Sequence, residues 1–212
     1  MLDLEAALPP AREDPAPGVV VLRRHVPETI TAEALSVLEA APPRVMATPM
    51  GKPMSVAITN CGPLGWVTDA AGYRYSPVDP LTGVAWPPLP AAFMILATNA
   101  AALAGFRHFV PDACLVNLYR DGARMGLHQD RDEADFTQPI VSVSLGRSAL
   151  FRFGGTKRGG PTRSIRLDHR DIVVFGGPAR LIYHGIDRLL PGDHPVLGPI
   201  RINLTFRRAA PP

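Results

Sequence analysis

The amino-acid sequence predicts a mainly β protein with flanking helices (α+β), built on a double-stranded β-helix, or jelly roll. The 212 residues include 19 glycines and 24 prolines, a composition that favours many turns and few long helices. From Cys114 onward, short apolar runs alternate with turns, and Gly-Gly pairs mark three of those turns, at 154–155, 159–160 and 176–177. Short strands at this spacing are typical of an antiparallel sandwich or jelly roll.

The N-terminal part of the chain is less regular. Residues 1–17 are rich in Ala, Pro and acidic side chains, which predicts a loosely attached tail, and the apolar run 19–22 predicts a short strand. We expect residues 18–112 to pack on a core formed by residues 113–208, within a single compact domain. A chain of this length can bury a sizeable core.

Two helices are expected before the core. Thr31 can cap a helix that runs through Ala41 and stops at two prolines. Pro90 can open a second helix, which Gly105 would close. Between the two helices, residues 50–88 alternate short apolar pieces with Gly and Pro, which predicts irregular hairpins and loops. The core strands are expected at residues 115–119, 140–145, 149–153, 164–167, 171–175, 180–186 and 200–207.

Composition and terminal sequence exclude several classes of protein. The longest apolar run, 91–106, is interrupted by polar residues and is too short to cross a bilayer. The N-terminus lacks the basic start and apolar stretch of a signal peptide. Cys61 and Cys114 lie far apart in the sequence and form no disulfide framework. We therefore expect a cytoplasmic protein without membrane contact, and a monomer, because no segment has the pattern of a dimer interface.

Positive charge is concentrated in the second half of the chain. Residues 120–208 contain fifteen Lys and Arg against nine Asp and Glu, whereas the whole chain has a net charge of +3. A basic half suits an anionic partner, nucleic acid among them. Ordinary surface arginines would give the same balance, so charge alone does not decide the partner.

Three side chains have the chemistry of a metal site. His128 and Asp130 lie two residues apart on a segment expected to be extended, so that both project to one face. His184 ends a later strand pattern and can supply a third ligand. Two histidines and one carboxylate form the facial triad of non-haem Fe(II) oxygenases. A His-x-Asp pair alone is weak evidence, because satisfied surface or core histidines are commoner than ligands.

The last predicted strand, 200–207, has one polar face. Its alternation places four polar side chains on the same side: Arg201, Asn203, Thr205 and Arg207. Such a face can simply meet water. Two forked guanidiniums with an amide between them, however, also form a clamp for a small dicarboxylate. The same alternation aligns Asn117 and Tyr119 on another strand as further donors to that anion.

Several motifs in combination resemble one known family. They are NLY (117–119), LHQD (127–130), PIVSVSLG (139–146), FRFGG (151–155), DIVVFGG (171–177), RLIYHGI (180–186) and RINLTFR (201–207). The set is similar to the AlkB family of Fe(II)- and 2-oxoglutarate-dependent nucleic-acid dealkylases, most of all its bacterial DNA-repair members. The resemblance covers about residues 19–207, and residues 54–66 and 72–80 look like the nucleotide-recognition lid of that family.

The resemblance implies a role for each motif residue. His128, Asp130 and His184 would be the catalytic Fe(II) ligands, with 2-oxoglutarate and O₂ as co-substrates. Arg201 would pair with the distal carboxylate of 2-oxoglutarate. Asn117 and Tyr119 would assist Arg201, whereas Asn203 and Arg207 would steady the end of 2-oxoglutarate that chelates the metal. The implied activity is oxidative removal of a methyl group from a base as formaldehyde, while 2-oxoglutarate and O₂ are converted to succinate and CO₂.

Aromatic and acidic residues in the sequence also indicate how a base could bind. A base must be single-stranded or flipped to reach buried iron. Trp66, Tyr73 and Tyr75 lie in the Gly/Pro-rich stretch, where an aromatic face can stack a base for about 1–3 kcal/mol, although each could instead belong to a small core. Family resemblance implies that Trp66, Tyr73 and Asp132 contact the base. A carboxylate beside aromatic faces favours a cationic base such as 1-methyladenine or 3-methylcytosine.

Three arginines on turns near the motifs, Arg124, Arg131 and Arg158, are candidates for phosphate contacts, although each alone could be a solvated surface residue. The expected partner is alkylated single-stranded DNA, with duplex DNA and RNA left open. Two alternatives remain. The same oxygenase chemistry could act on RNA, protein or a small molecule, or the triad could hold a structural metal in a non-catalytic binding module.

Overall fold

The computed structural model of the protein describes residues 11–211. Two antiparallel sheets pack together at the centre of the molecule. The strands are β1 (Arg12–Ala16), β2 (Val19–Leu22), β3 (Arg44–Ala47), β4 (Pro53–Cys61), β5 (Gly65–Asp69), β6 (Gly72–Ser76), β7 (Ala113–Tyr119), β8 (Met125–His128), β9 (Ile140–Gly146), β10 (Ala149–Gly154), β11 (Thr162–Leu167), β12 (Ile172–Phe175), β13 (His184–Leu189) and β14 (Arg201–Arg207). The helices are α1 (Thr29–Ala40) and α2 (Ala91–Leu103), and one 3₁₀ turn spans Gly177–Ala179.

The larger sheet has eight strands in the order β1-β2-β12-β9-β14-β7-β4-β3. The smaller sheet has four, in the order β11-β10-β13-β8, and β5 and β6 form a separate hairpin. One apolar cluster joins the two sheets, with Phe175 of the larger sheet and Phe151 and Phe153 of the smaller sheet among its members. The predicted jelly-roll class is therefore confirmed. No helix within the described residues is long and apolar enough to span a membrane.

Each predicted core strand overlaps an observed strand, and only one of them is shifted by several residues. The strand expected at 180–186 begins only at His184, because Arg180 closes the 3₁₀ turn by donating its backbone N–H to Gly177. Strand β8, a four-residue edge strand that ends at His128, was not predicted. A strand this short, with a glycine at its second position, has too little alternation to be recognised from sequence.

The N-terminal region is more regular than the sequence predicts. Strand β2 matches the expected run, but β1 lies within residues 1–17, where a loose tail was expected, and pairs antiparallel with β2. Residues 1–10 of that expected tail are outside the described part of the chain. The nine-residue strand β4 also lies within residues 50–88, where only irregular hairpins and loops were expected, and it pairs with β7 in the larger sheet.

Both helices exist, but the first starts earlier than expected. Helix α1 begins at Thr29, so Thr31 lies inside it and does not cap it. The cause is a turn in which the carbonyl of Pro27 accepts the backbone N–H of Ile30, so that a turn has already formed before Thr31. Helix α2 begins directly after Pro90 as predicted. Gly105 follows its end with a φ of +96°, a conformation that favours glycine.

Strand β14 occupies the middle of the larger sheet, between β7 and β9. Its seven residues are all buried. The apolar side packs under the helices, where Phe206 meets Phe93 of α2 edge to face with ring centroids 5.7 Å apart. Because the opposite, polar side is buried too, it does not face water. It faces the space between the two sheets.

The smaller sheet is held together by a close backbone contact at Gly185 of β13. A Cβ atom at this position would lie 2.3 Å from the carbonyl oxygen of Met125 and 2.8 Å from that of Gly126, both on β8. These oxygens are backbone atoms, so they can move aside only if β8 separates from β13.

We predict that Gly185→Ala lowers the free energy of unfolding by about 1–3 kcal/mol, the usual cost of overpacking, as measured by urea denaturation. Gly155→Ala is the matched control, because a Cβ at that exposed position meets nothing within 4 Å. The control should stay within about 0.5 kcal/mol of the unsubstituted chain. Equal stability of the two variants would contradict the close approach of β8 and β13.

Candidate active site

A cavity of about 870 Å³ opens between the two sheets and the β5–β6 hairpin. The larger sheet contributes Asn203, Thr205 and Arg207 of β14 and positions of β7, whereas Arg201 is fully buried and lies outside the cavity lining. The smaller sheet contributes β8 and the start of β13, and the hairpin covers one side with aromatic rings. A mixed polar and aromatic cleft of this size is typical of a binding site for small molecules.

The three predicted metal ligands converge on one wall of this cavity. One nitrogen or oxygen atom from each of His128, Asp130 and His184 lies within 4.8 Å of the other two. His128 and His184 are paired across β8 and β13, which brings their ring centroids to 4.5 Å. Asp130 follows directly after β8, so the predicted spacing of two residues does place both ligands of the pair at one point.

The hydrogen bonds of both histidines leave the same nitrogen free for a metal. Nδ1 of His128 lies 2.9 Å from the carbonyl of Gly126, and Nδ1 of His184 lies 3.2 Å from that of Ile182. A carbonyl can only accept, so each Nδ1 carries a proton, and Nε2 is the nitrogen that remains to bind a metal. This tautomer is the one that a metal bound at Nε2 requires.

The electrostatics also suit a cation. Burial alone would raise the pKa of Asp130, but the charge of Arg207 and the hydrogen bond with His128 hold that pKa well below its ordinary value. Burial, followed by the neighbouring His128, lowers the pKa of His184 to about 4. At neutral pH the site therefore offers a carboxylate and a neutral imidazole, which are the ligand forms that bind a metal.

Arg201 is a buried cation with unused donors. Its side chain is fully buried, and only Nη2 is bonded, donating to the hydroxyl of Ser144 at 2.8 Å. Nε and Nη1 have no hydrogen-bond partner. Burial lowers the pKa of Arg201 to about 10, so the guanidinium stays charged at neutral pH. An unpaired buried charge is costly, and a bound carboxylate would remove that cost.

The other predicted co-substrate residues surround Arg201 in the expected register. Tyr119 is directly opposite Arg201 across β7 and β14, and Asn117 is opposite Asn203. The amide of Asn203 is fixed by bonds to Ser142 and the Val143 carbonyl, both 2.9 Å long. Oδ1 of Asn117 is buried without a partner.

Arg207 lies at the other end of the clamp, beside the metal ligands. Its Nη2 is 2.9 Å from Oδ2 of Asp130, although that oxygen accepts no hydrogen bond of good geometry. Its Nε is buried without a partner. The polar side of β14 therefore carries two guanidiniums with unsatisfied donors, and the one at Arg207 touches the metal site. This arrangement fits a dicarboxylate that reaches the metal.

Three predicted base contacts meet at the mouth of the cavity. Trp66 of β5 and Tyr73 of β6 stack with centroids 5.7 Å apart and planes 18° from parallel. Nε1 of Trp66 donates to Oδ2 of Asp132 at 2.7 Å, which orients that carboxylate. All three side chains line the cavity.

The structure separates the three candidate phosphate residues. Arg131 and Arg158 line the cavity, and the guanidinium of Arg158 lies 5.4 Å from the ring centroid of Tyr183. Arg124 lies outside this cavity and lines a smaller one on the flank of β8. Tyr75, expected as a third stacking ring, is absent from the cavity lining, and its hydroxyl is bonded to Glu133 and Arg207.

Several residues that hydrogen-bond to the site residues were not predicted from the sequence. Ser142 and Ser144 of β9 bond to Asn203 and Arg201, a role that the sequence did not indicate. Glu133 and Arg180 form a buried ion pair of 2.9 Å that no sequence pattern indicates, because both lie outside regular strands.

Comparisons with known proteins agree with this geometry. The 2OG-Fe(II) oxygenase superfamily matches residues 18–207. The alpha-ketoglutarate-dependent dioxygenase AlkB of Salmonella typhimurium is 52% identical over 213 residues, which is 99% of each chain. The nucleic acid dioxygenase ALKBH1 of Homo sapiens is 34% identical over 129 residues, 60% of this chain and 33% of that protein. The solved structure of OsALKBH1 superposes with a TM-score of 0.81 at 26% identity, covering 93% of this chain and 99% of that one.

The fold, the triad and the superfamily match define an Fe(II)- and 2-oxoglutarate-dependent dioxygenase. Within that class, the chain belongs to the AlkB family, as the near-complete match to a bacterial AlkB shows. Its cofactor is Fe(II), and its co-substrates are 2-oxoglutarate and O₂.

We predict that Asp130→Asn abolishes Fe(II) binding, measured by calorimetry without oxygen, because the amide lacks the negative charge. It should also destabilise the metal-free protein by about 3–5 kcal/mol, because Arg207 loses a buried ionic partner. Asp187→Asn carries the same substitution in an exposed pair with Arg152. That control should bind Fe(II) normally and lose about 1 kcal/mol or less. Unchanged iron affinity in Asp130→Asn would contradict the assignment.

Proposed function

We propose that this AlkB-family enzyme dealkylates bases methylated at a ring nitrogen, of the 1-methyladenine and 3-methylcytosine type, preferably in single-stranded DNA. Oxidative dealkylation of nucleic acid is the activity that the family membership supports. The site residues and the substrate form are our assignment. RNA is the second substrate to test, because the base and phosphate contacts proposed below are common to DNA and RNA.

One observation carries the proposal: the unsatisfied guanidinium of Arg201 lies on the same strand face as Arg207, which contacts Asp130. The two arginines can bind the two carboxylates of 2-oxoglutarate, with the distal one at Arg201. Tyr119 and Asn117 would complete the pocket for the distal end, and Asn203 would steady the end near the metal. A structural metal alone would leave the buried charge of Arg201 unexplained.

His128, Asp130 and His184 would hold the Fe(II). When bound, the iron supplies the oxidation of the methyl group by O₂, coupled to conversion of 2-oxoglutarate to succinate and CO₂. The chain's own residues bind, orient and exclude water. Asp130 and His184 are both buried, and Phe175 packs against His184 with ring centroids 4.7 Å apart. Hydroxylation of the methyl group gives an unstable product that loses formaldehyde and restores the base.

The hairpin supports a base as the substrate. A flipped or single-stranded base can enter the cavity mouth and stack on Trp66 or Tyr73. Asp132 adds a negative charge at the same place, and Trp66 fixes its orientation. A base methylated at a ring nitrogen is cationic, so the carboxylate and the aromatic faces both favour it over an undamaged base.

Arg131 and Arg158 line the cavity and would contact phosphates at its mouth. Such contacts strengthen binding to any sequence and weaken with added salt. Arg124 can extend the same contact along the flank of β8. We expect the enzyme to act as a monomer, because one chain supplies every residue of the proposed site.

The direct test is formaldehyde release from a single-stranded oligonucleotide carrying 1-methyladenine, with Fe(II), O₂ and 2-oxoglutarate. We expect release that requires 2-oxoglutarate, and a raised 2-oxoglutarate requirement in Arg201→Lys, which loses the forked donors. An unmethylated oligonucleotide is the control. Succinate without formaldehyde would contradict the base substrate. Neither product, from folded and iron-loaded protein, would contradict catalysis at this site.

A second prediction concerns Asp132. Asp132→Asn keeps the shape and an acceptor for Trp66 but removes the charge. It should reduce the preference for 1-methyladenine over the neutral lesion 1-methylguanine by about tenfold, the equivalent of one charge-assisted hydrogen bond. Competition between the two oligonucleotides in one reaction measures this preference. An unchanged ratio would remove Asp132 from the base site.

A further inference from the structure

A buried chain of contacts joins the β5–β6 hairpin to the co-substrate clamp. The hydroxyl of Tyr75, on β6, donates to Oε1 of Glu133 at 2.6 Å. The same oxygen of Tyr75 accepts a hydrogen bond from Nη1 of Arg207 at 3.0 Å. Tyr75 is therefore the hairpin residue whose side chain bonds to a guanidinium of the clamp.

Glu133 is fixed so firmly that it can hold Tyr75 in place. Its carboxylate lies between two buried guanidiniums, 2.9 Å from Nη2 of Arg180 and 3.3 Å from Nη1 of Arg207. Arg180 is itself anchored to backbone carbonyls, donating to Asp130 and Gln138 at 2.9 Å each. The same network therefore fixes the backbone of a metal ligand and the position of the Tyr75 hydroxyl.

Arg207 depends on this network for its orientation. Nη2 is directed to Asp130 and Nη1 to Tyr75, while Nε has no partner. If the hydroxyl of Tyr75 moved away, Nη1 would keep only the longer contact with Glu133. The guanidinium of Arg207 would then be less firmly oriented for binding 2-oxoglutarate.

The rings proposed to contact the base and the hydroxyl of Tyr75 belong to the same hairpin. Trp66 is directly opposite Tyr75 in the antiparallel register of β5 and β6, and Tyr73 is two residues before Tyr75. The rings proposed to stack on the base and the hydroxyl that holds Arg207 are thus parts of one two-stranded unit. A shift of the hairpin that reorders Trp66 also shifts Tyr75.

We propose that Tyr75, held by Glu133, is a positioning residue that couples base binding to 2-oxoglutarate binding. This inference rests on the proposed function, in which the hairpin contacts the base and Arg207 contacts the co-substrate. A base that orders the hairpin fixes Arg207 and strengthens 2-oxoglutarate binding. Bound 2-oxoglutarate strengthens oligonucleotide binding by the same factor, because coupling between two sites is reciprocal.

The test measures both affinities as a thermodynamic cycle. Calorimetry without oxygen, on the full chain loaded with Mn(II), gives the dissociation constant of 2-oxoglutarate with and without a saturating 1-methyladenine oligonucleotide. We expect the oligonucleotide to tighten 2-oxoglutarate binding about fivefold or more. In Tyr75→Phe, which keeps the ring and loses only the hydroxyl, the factor should fall below about twofold, and the KM for 2-oxoglutarate should rise more than kcat falls.

Asp79→Asn is the control variant. Asp79 follows the hairpin and forms an ion pair with Arg44, with no contact to Glu133 or Arg207. Its substitution weakens the anchoring of the same region, so it should lower thermal stability yet keep the coupling factor of the unsubstituted chain. Equal loss of coupling in Asp79→Asn would overturn the specific role of Tyr75, as would full coupling in Tyr75→Phe.

The outcomes separate this inference from the proposed function. If the unsubstituted chain binds both ligands but neither affects the other, the coupling is wrong and the proposed function stands. If the folded, metal-loaded chain binds neither 2-oxoglutarate nor the oligonucleotide, the proposed function itself is wrong.

Discussion

The contact between Arg207 and Asp130 is the interaction on which the rest of the site depends. It joins the last strand of the larger sheet to the metal ligand that follows β8 of the smaller sheet, across a distance of 2.9 Å. Because the pair is buried, neither charge has water as an alternative partner. The pair therefore keeps the metal site and the proposed co-substrate clamp side by side, although the two are built on different sheets.

The central position of β14 explains why this strand can carry so many polar groups. With β7 and β9 on both sides and helices behind it, the backbone of β14 is fully paired and its apolar side is packed in the core. The polar side is buried between the two sheets, where charges interact strongly. Burying two nitrogens of Arg201 without hydrogen-bond partners costs free energy, and a bound carboxylate would offset that cost. Binding and fold stability are thus linked at one residue.

Much of the site could be predicted from sequence because it follows from strand periodicity. Alternation along residues 200–207 placed Arg201 and Arg207 on one face, and the same rule aligned Asn117 and Tyr119 beside them. The contacts of Tyr75, Glu133 and Arg180 could not be predicted in this way. They join residues 47 to 132 positions apart through a loop and a hairpin, and no local pattern encodes such pairings. Strand β8 was missed for a related reason, since its pairing with β13 and not its own composition makes it a strand.

We propose that the metal binds at the triad and that 2-oxoglutarate binds between the two arginines of β14. The most direct measurement is a crystal structure of the protein with Mn(II) and 2-oxoglutarate, grown without oxygen, with the anomalous signal of manganese locating the ion. We expect an anomalous peak within coordination distance of His128, Asp130 and His184, and a distal carboxylate bonded to Nε and Nη1 of Arg201. A manganese peak elsewhere, or 2-oxoglutarate bound away from Arg201, would contradict it.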